Sequence, residues 1–213
     1  MEDTSKNDKE KYFQYKKKAF MGYLYPTNSL SISIIGIFAA LICVLTMVIV
    51  IPVPATQGFI NIGDAGVMIT GLLFGPIIGG LAGGIGSALA DLILGYTIYA
   101  PATLIIKGLE GFIVGLIANP RKLNDRDKKL TYRDVLAVII GGAVMVLGYF
   151  IYELILFGLP SALYEFFLNG IIQYGISVLI ALIFAQTVRK NIIDSLPQVF
   201  DKIFIIDMTE NNT

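Results

Sequence analysis

The run ATLIIKGLEGFIVGLIA (Ala102–Ala118) is followed by RKLNDRDKKLTYR (Arg121–Arg133) and then by VLAVIIGGAVMVLGYFIYELILF (Val135–Phe157). Two apolar stretches close to the roughly 20 residues a spanning helix needs thus flank a segment holding six of the chain's sixteen Lys and Arg. Six more lie between Lys6 and Lys18, three follow Gln186, and the last, Lys107, sits alone inside the first apolar run. Soluble proteins scatter charge over every surface element, so this confinement predicts a chain whose middle lies in lipid. Composition agrees: with 55% apolar residues, 15% charged and a mean hydropathy of +0.74, too little polar surface is left for a soluble shell.

Six candidate spans are legible: Ser33 to Ile51, Ala65 to Phe74, Ile77 to Leu94, Ala102 to Ala118, Val135 to Phe157 and Ala162 to Val188. The second is short, bounded by Asp64 and by Gly75-Pro76. Six crossings put both termini on one side. With the basic N-terminus in the cytoplasm, the Arg121–Arg133 loop and the Arg189-Lys190 tail also fall inside, and the external loops carry no Lys or Arg. The expected fold is all-α and integral to the membrane: residues 1–32 form a cytoplasmic or interfacial segment, 33–188 the six-helix domain, and 189–213 a cytoplasmic tail. The expected location is the cell membrane, multi-pass, with the lipid bilayer as the first partner. A net charge of zero gives no field for nucleic acid. No His and one Cys remove most metal and thiol chemistry, so neither metal nor cofactor is expected. No Gly-Lys dipeptide is present, so there is no phosphate-binding loop, and any ATP would be hydrolysed by another subunit.

Small residues concentrate in two helices. Gly36/Ala40 and Ala39/Cys43 make small-x-x-x-small pairs in the first, and Gly79, Gly80, Gly83, Gly84 and Gly86 crowd the third; both patterns read as close helix packing. Ionisable groups inside spans are costly, so their depth is informative. At about 1.5 Å rise per residue, Lys107 lies roughly 9 Å and Glu110 roughly 14 Å below the outer surface. Tyr149 and Glu153 fall in the outer third of the fifth span. Glu165, Asn169 and Gln173 repeat every four residues and form one polar stripe on the sixth. With Asp64 in the first external loop, the polar groups gather in the outer half as a cup walled by Tyr96, Tyr99, Tyr149 and Tyr152, while the inner half reads as apolar. A structural reading stands beside this one: Lys107 and Glu110, three apart, can neutralise each other, and Asp91 can bond its neighbouring loop, the preferred role for it.

The runs Pro54–Ala65, Leu73–Gly80, Gly86–Leu92 and Gly95–Gly108 resemble the substrate-binding S components of energy-coupling factor (ECF) transporters, in the branch that contains riboflavin, hydroxymethylpyrimidine and pyridoxine carriers. The likeness covers about Ser33 to Val188 and is most specific from Gly58 to Gly111. It implies a subunit without catalytic residues that binds a vitamin or precursor from outside, then docks on a transmembrane T component carrying two cytoplasmic ATPases. It further implies that the ligand is held by the first external loop and helices four to six, which maps by position onto Gln57, Asn61, Asp64, Lys107, Glu153, Asn169 and Gln173. The family's Ala-x-x-x-Ala docking surface has its equivalents here in Gly36/Ala40 and Ala39/Cys43. Two other classes are alternatives. A membrane-embedded enzyme using Asp64 and Asp91 lacks the Tyr-Asp and Gly-x-Gly-Asp signatures of intramembrane aspartyl proteases, and a proton-coupled carrier would usually show a two-fold internal repeat, which is not evident.

The charge segregation generates a direct test of topology. A cysteine introduced at Asn124 is expected to react with a membrane-impermeant maleimide only after permeabilisation, and one at Gly158 to react in intact cells. External labelling at Asn124 would overturn the orientation.

Overall fold

The structure, a computed structural model, describes residues 19–120, 130–168 and 172–204. A hairpin of β1 (Ala19–Phe20) and β2 (Tyr23–Leu24) leads into α1 (Ser29–Val48), and a second hairpin, β3 (Ile51–Val53) with β4 (Gly58–Ile60), leads into α2 (Gly63–Phe74). Then come α3 (Pro76–Leu94), α4 (Ala100–Ala118), α5 (Tyr132–Phe157), α6 (Leu159–Leu168) and α7 (Tyr174–Phe184). A π-helical stretch, Ala185–Arg189, continues α7 into α8 (Lys190–Ser195), and α9 (Pro197–Phe200) follows. Among the described residues, five helical stretches are long and apolar enough to cross a membrane: α1, α3, α4, α5 and Tyr174–Ser195. Their outward faces carry Ile37, Val44, Ile93, Ile105, Ile155 and Leu179, the inverse of a soluble surface and what a lipid solvent requires.

Helix ends follow local chemistry. The Asn28 side chain caps α1 by accepting from the Ser31 amide at 2.7 Å, so the helix begins four residues before the Ser33 boundary expected from hydropathy. Gly75, at φ +83°, separates α2 from α3 with the Tyr23 ring packed against it; the left-handed backbone and the ring together exclude any side chain there. Thr131 and Asp134 form a capping box at the start of α5. The last spanning stretch is shifted from expectation. It runs from Tyr174 to Ser195, with α6 ahead of it, and the domain boundary expected at Val188 falls inside a helix.

The short α2 is the axis of the bundle. Of its 12 residues, only Ile69 is not fully buried, because α1, α3, α4, α5 and α7 all pack on it. Such close approach demands missing side chains. A Cβ on Gly79 would lie 2.7 Å from the Gly71 Cα and 2.8 Å from the Gly111 carbonyl oxygen, so α2, α3 and α4 touch backbone to backbone at one level. The small residues of α1 divide between two jobs. Ala39 is buried against Gly86 of α3, and Cys43 is buried as well, whereas Gly36 and Ala40 face outward with open space beside Gly36.

The two described ends of the chain meet at the end of the bundle that holds Gly75. Leu24 donates its amide to the Ile203 carbonyl at 2.9 Å, the Tyr23 ring meets Phe204 edge-on, and Phe74 stacks on Phe200. The expectation that this inner half is apolar is corrected by a buried ion pair. Arg189, fully buried, grips Asp134 with two parallel bonds of 2.8 and 2.7 Å, the bidentate geometry that makes a buried guanidinium tolerable.

Substituting Val for Gly79 is expected to cost about 1 to 3 kcal/mol or more through overpacking, read as a lowered melting temperature in detergent. Gly175→Val, where nothing lies within 4 Å, should leave it unchanged. Equal melting temperatures would show that α3 does not seat on α2 through Gly79.

Candidate functional site

The polar residues at the opposite end are organised by the start of α2. Asn61 accepts the Gly63 amide on its side-chain oxygen at 2.8 Å, a local turn that launches the helix, and Asp64 falls in the first turn, where a carboxylate is favoured by the helix dipole. The Asp64 carboxylate forms an ion pair with Lys107 of α4. Its other oxygen accepts from the Gln173 side-chain amide at 2.6 Å. Gln173 in turn accepts the Asn61 amide at 2.8 Å, closing a circuit between the β3–β4 hairpin, α2, α4 and the approach to α7. Lys107 is also 3.5 Å from a Glu110 carboxylate oxygen and 5.5 Å from the Tyr149 ring centre. At 3% exposure, its ammonium is neutralised within the protein.

Above this circuit the hairpin folds over a cavity. Thr56, fully buried, donates its hydroxyl to Glu165 of α6, and the Tyr99 hydroxyl donates to the Thr56 carbonyl at 2.8 Å. Phe59 packs on Tyr96 with ring centres 4.4 Å apart. Gly58, Phe59 and Asn61 line the cavity from the hairpin side, Asp91 from α3, and Tyr99 and Thr103 from the start of α4. Tyr149, Glu165 and Gln173 complete it. The empty space, mouth included, is about 320 Å³.

Of the expected ligand residues, Asn61, Tyr149 and Gln173 stand on the cavity wall. Asp64 and Lys107 are brought together beneath it rather than into it. Lys107 therefore meets Asp64 and Glu110, the latter being the pairing that the structural reading of the sequence allows. Glu153 is buried facing Glu165. Gln57 sits exposed at the hairpin tip at φ 57°, away from the wall, and Asn169 lies outside the described residues. Asp91, for which the sequence favours a structural role, lines the cavity, and its side chain bonds Thr103. Thr56, Phe59 and Thr103 were not singled out. Thr103 was within reach, since it lies four residues before Lys107 on the same helix face; Thr56 was not, because its partner is 109 residues away.

A bundle of apolar helices, closed by aromatic packing at one end and holding a small polar cavity at the other, has the architecture of a multi-pass membrane protein. A family model described as ECF-type riboflavin transporter, S component, matches residues 27–190; the chain belongs to this family. It is 27% identical over 164 residues to the thiamine precursor transporter HmpT of Lactococcus lactis subsp. cremoris, covering 76% of this chain and 90% of that one. An uncharacterised Pyrococcus woesei protein is 46% identical over 132 residues, covering 62% and 83%. A UPF0397 protein of Streptococcus pneumoniae is 42% identical over 82 residues, covering 38% of this chain and 44% of its own length. The protein is a multi-pass membrane transport component of a family that is not enzymatic.

Replacing Lys107 with Met strands the Asp64 and Glu110 carboxylates, so stability is expected to fall by on the order of 3 to 5 kcal/mol, measured by thermal unfolding in detergent. Adding Asp64→Asn and Glu110→Gln to that variant should recover much of the loss. A stable single variant with impaired ligand binding would instead place Lys107 in direct contact with ligand.

Proposed function

We propose that this protein is the substrate-capturing S component of an ATP-driven ECF importer, taking a vitamin or vitamin precursor from outside the cell and delivering it with a T component and two cytoplasmic ATPases. The observation that carries the reading is the family match across residues 27–190 in a chain whose polar cavity lies at the end of the bundle away from its described termini. The basic residues support the orientation: apart from Lys107, those described (Arg133, Arg189, Lys190 and Lys202) all belong to the end where β2 meets the C-terminal segment. That end is then cytoplasmic, α2 is the sixth crossing together with the five long stretches, and the cavity opens outward in the cell membrane.

The ligand in this reading is a small polar heteroaromatic of the hydroxymethylpyrimidine, pyridoxine or riboflavin kind, within reach of Asn61, Tyr149 and Gln173. Asp64, Lys107 and Glu110 hold the floor on which those side chains rest. The T component docks on α1 through Gly36 and Ala40, the small pair that the bundle leaves open, while Ala39 and Cys43 are occupied by internal packing. Native mass spectrometry of gently purified protein is the test of capture: a retained heteroaromatic small molecule supports the reading. A preparation that binds no vitamin and co-purifies with no T component would end it.

The division of the α1 face separates two variants. Ala40→Leu is expected to abolish co-purification with the T component and uptake, with ligand binding by the solitary protein retained, because it blocks backbone approach on an open face. Ala39→Leu should damage the fold itself, since it presses on Gly86. Normal transport by Ala40→Leu would remove α1 as the docking surface.

A further inference from the structure

The β1–β2 hairpin has an unusual tip. Phe20 pairs with Tyr23 across a two-residue turn, Met21-Gly22, in which both residues have positive φ, 50° and 88°. This turn, the type I′ that suits the twist of paired strands, is ordinarily built from Asn-Gly or Asp-Gly, because other side chains are strained in it. A methionine there is costly twice over, since Met21 is also 61% exposed, with Phe20 beside it at 37%. The β3–β4 hairpin at the opposite end puts a polar residue, Gln57, in the same left-handed region. An apolar side chain held outward on a strained turn is explained if the medium around the tip is lipid rather than water.

The placement of the hairpin agrees. Its base is fixed to the protein: Tyr23 is buried, its ring packs on Gly75, and its hydroxyl donates to the Asn119 side chain at 3.0 Å. The Phe20 ring lies on Phe112 of α4, with ring centres 5.9 Å apart. Phe112 is one turn beyond the exposed Leu109 and six residues before Ala118, the last residue of α4, so the Phe20 ring sits about 9 Å inside the end of that helix. The hairpin thus lies along the flank of the bundle rather than beneath it. Lys16, Lys17 and Lys18 precede it directly, and no acidic residue occurs between Glu10 and Asp64. An apolar tip with a basic run beside it is the chemistry that recognises a negatively charged phospholipid surface.

We propose that the β1–β2 hairpin is a binding surface for anionic phospholipid: Met21 and Phe20 insert among the acyl chains of the leaflet at the Gly75 end of the bundle, and Lys16, Lys17 and Lys18 attract the headgroup phosphates. The inference rests on the membrane architecture and is independent of the S-component reading. Because Tyr23 of the same hairpin packs on Gly75, between α2 and α3, engagement of the tip by lipid also steadies the junction of those helices.

The test uses the full chain, which has no Trp. Met21→Trp places a single indole at the tip, and the protein is reconstituted in phosphatidylcholine vesicles holding a small, equal fraction of either brominated phosphatidylglycerol or brominated phosphatidylcholine. The emission is expected to be blue-shifted and quenched about fivefold more by the phosphatidylglycerol, the enrichment that one lysine near the surface gives. Adding Lys16→Gln, Lys17→Gln and Lys18→Gln should bring the two lipids to equality. Ile37→Trp, on the exposed side of α1, should be quenched equally by both. Met21→Asn gives a second reading if the Trp variant misfolds: asparagine suits the turn, so the melting temperature should hold or rise in detergent and fall in phosphatidylglycerol vesicles. Unquenched emission at the wavelength of water-exposed Trp, equal quenching of the tip by the two lipids, or an Asn variant as stable as the parent in those vesicles would each overturn the proposal.

Discussion

The ion pair between Asp64 and Lys107 is the constraint on which the rest of the structure turns. An ammonium in the middle of α4 cannot face lipid, and a carboxylate in the first turn of α2 has almost no contact with water. Each makes the other possible, and together they fix the relative height of the two helices. Because Asp64 also accepts from Gln173, and Gln173 accepts from Asn61, the pair reaches outward to position the β3–β4 hairpin and the approach to α7. The cavity is what remains between the hairpin and this floor.

Helix contacts of this kind cannot be driven by apolar burial alone, since lipid tails compete equally for side chains. The bundle uses backbone proximity instead. Gly71, Gly79 and Gly111 bring α2, α3 and α4 together at one level, and the Arg189–Asp134 fork ties the π-helical continuation of α7 to the first turn of α5. The dense glycines of α3 are therefore packing residues.

Most of the fold was legible in the sequence because lipid imposes a coarse code. Length and hydropathy located four of the five long spans to within four residues, and Asn61, Asp64, Lys107, Tyr149 and Gln173 come together at one end. Two things escaped. Hydropathy does not resolve caps, so Asn28 and the continuation through Arg189 moved boundaries by several residues, and Arg189 read as a tail charge although it is buried. Side-chain direction was the larger gap. Spacing on α4 pairs Lys107 with Glu110, yet Lys107 also turns toward Asp64 of α2, which no periodicity on α4 reveals. Asp91 presented the reverse case: its neighbours in sequence suggested a loop contact, and only the packing of α3 against α4 turns it to the cavity.

The burial of α2 has a consequence for how the protein is made. Twelve residues span about 18 Å, well short of a hydrocarbon core of roughly 30 Å, and Asp64 at its head is unpaired until α4 has been synthesised. The segment cannot rest stably in the bilayer when it leaves the ribosome, because its partners on α3, α4, α5 and α7 do not yet exist. It must wait at the interface or in the insertion machinery and enter as the later helices close around it. The part of the chain that founds the ligand site is thus among the first to be translated and among the last to be seated, so quality control that recognises unassembled membrane segments would sense completion of the site before any ligand does.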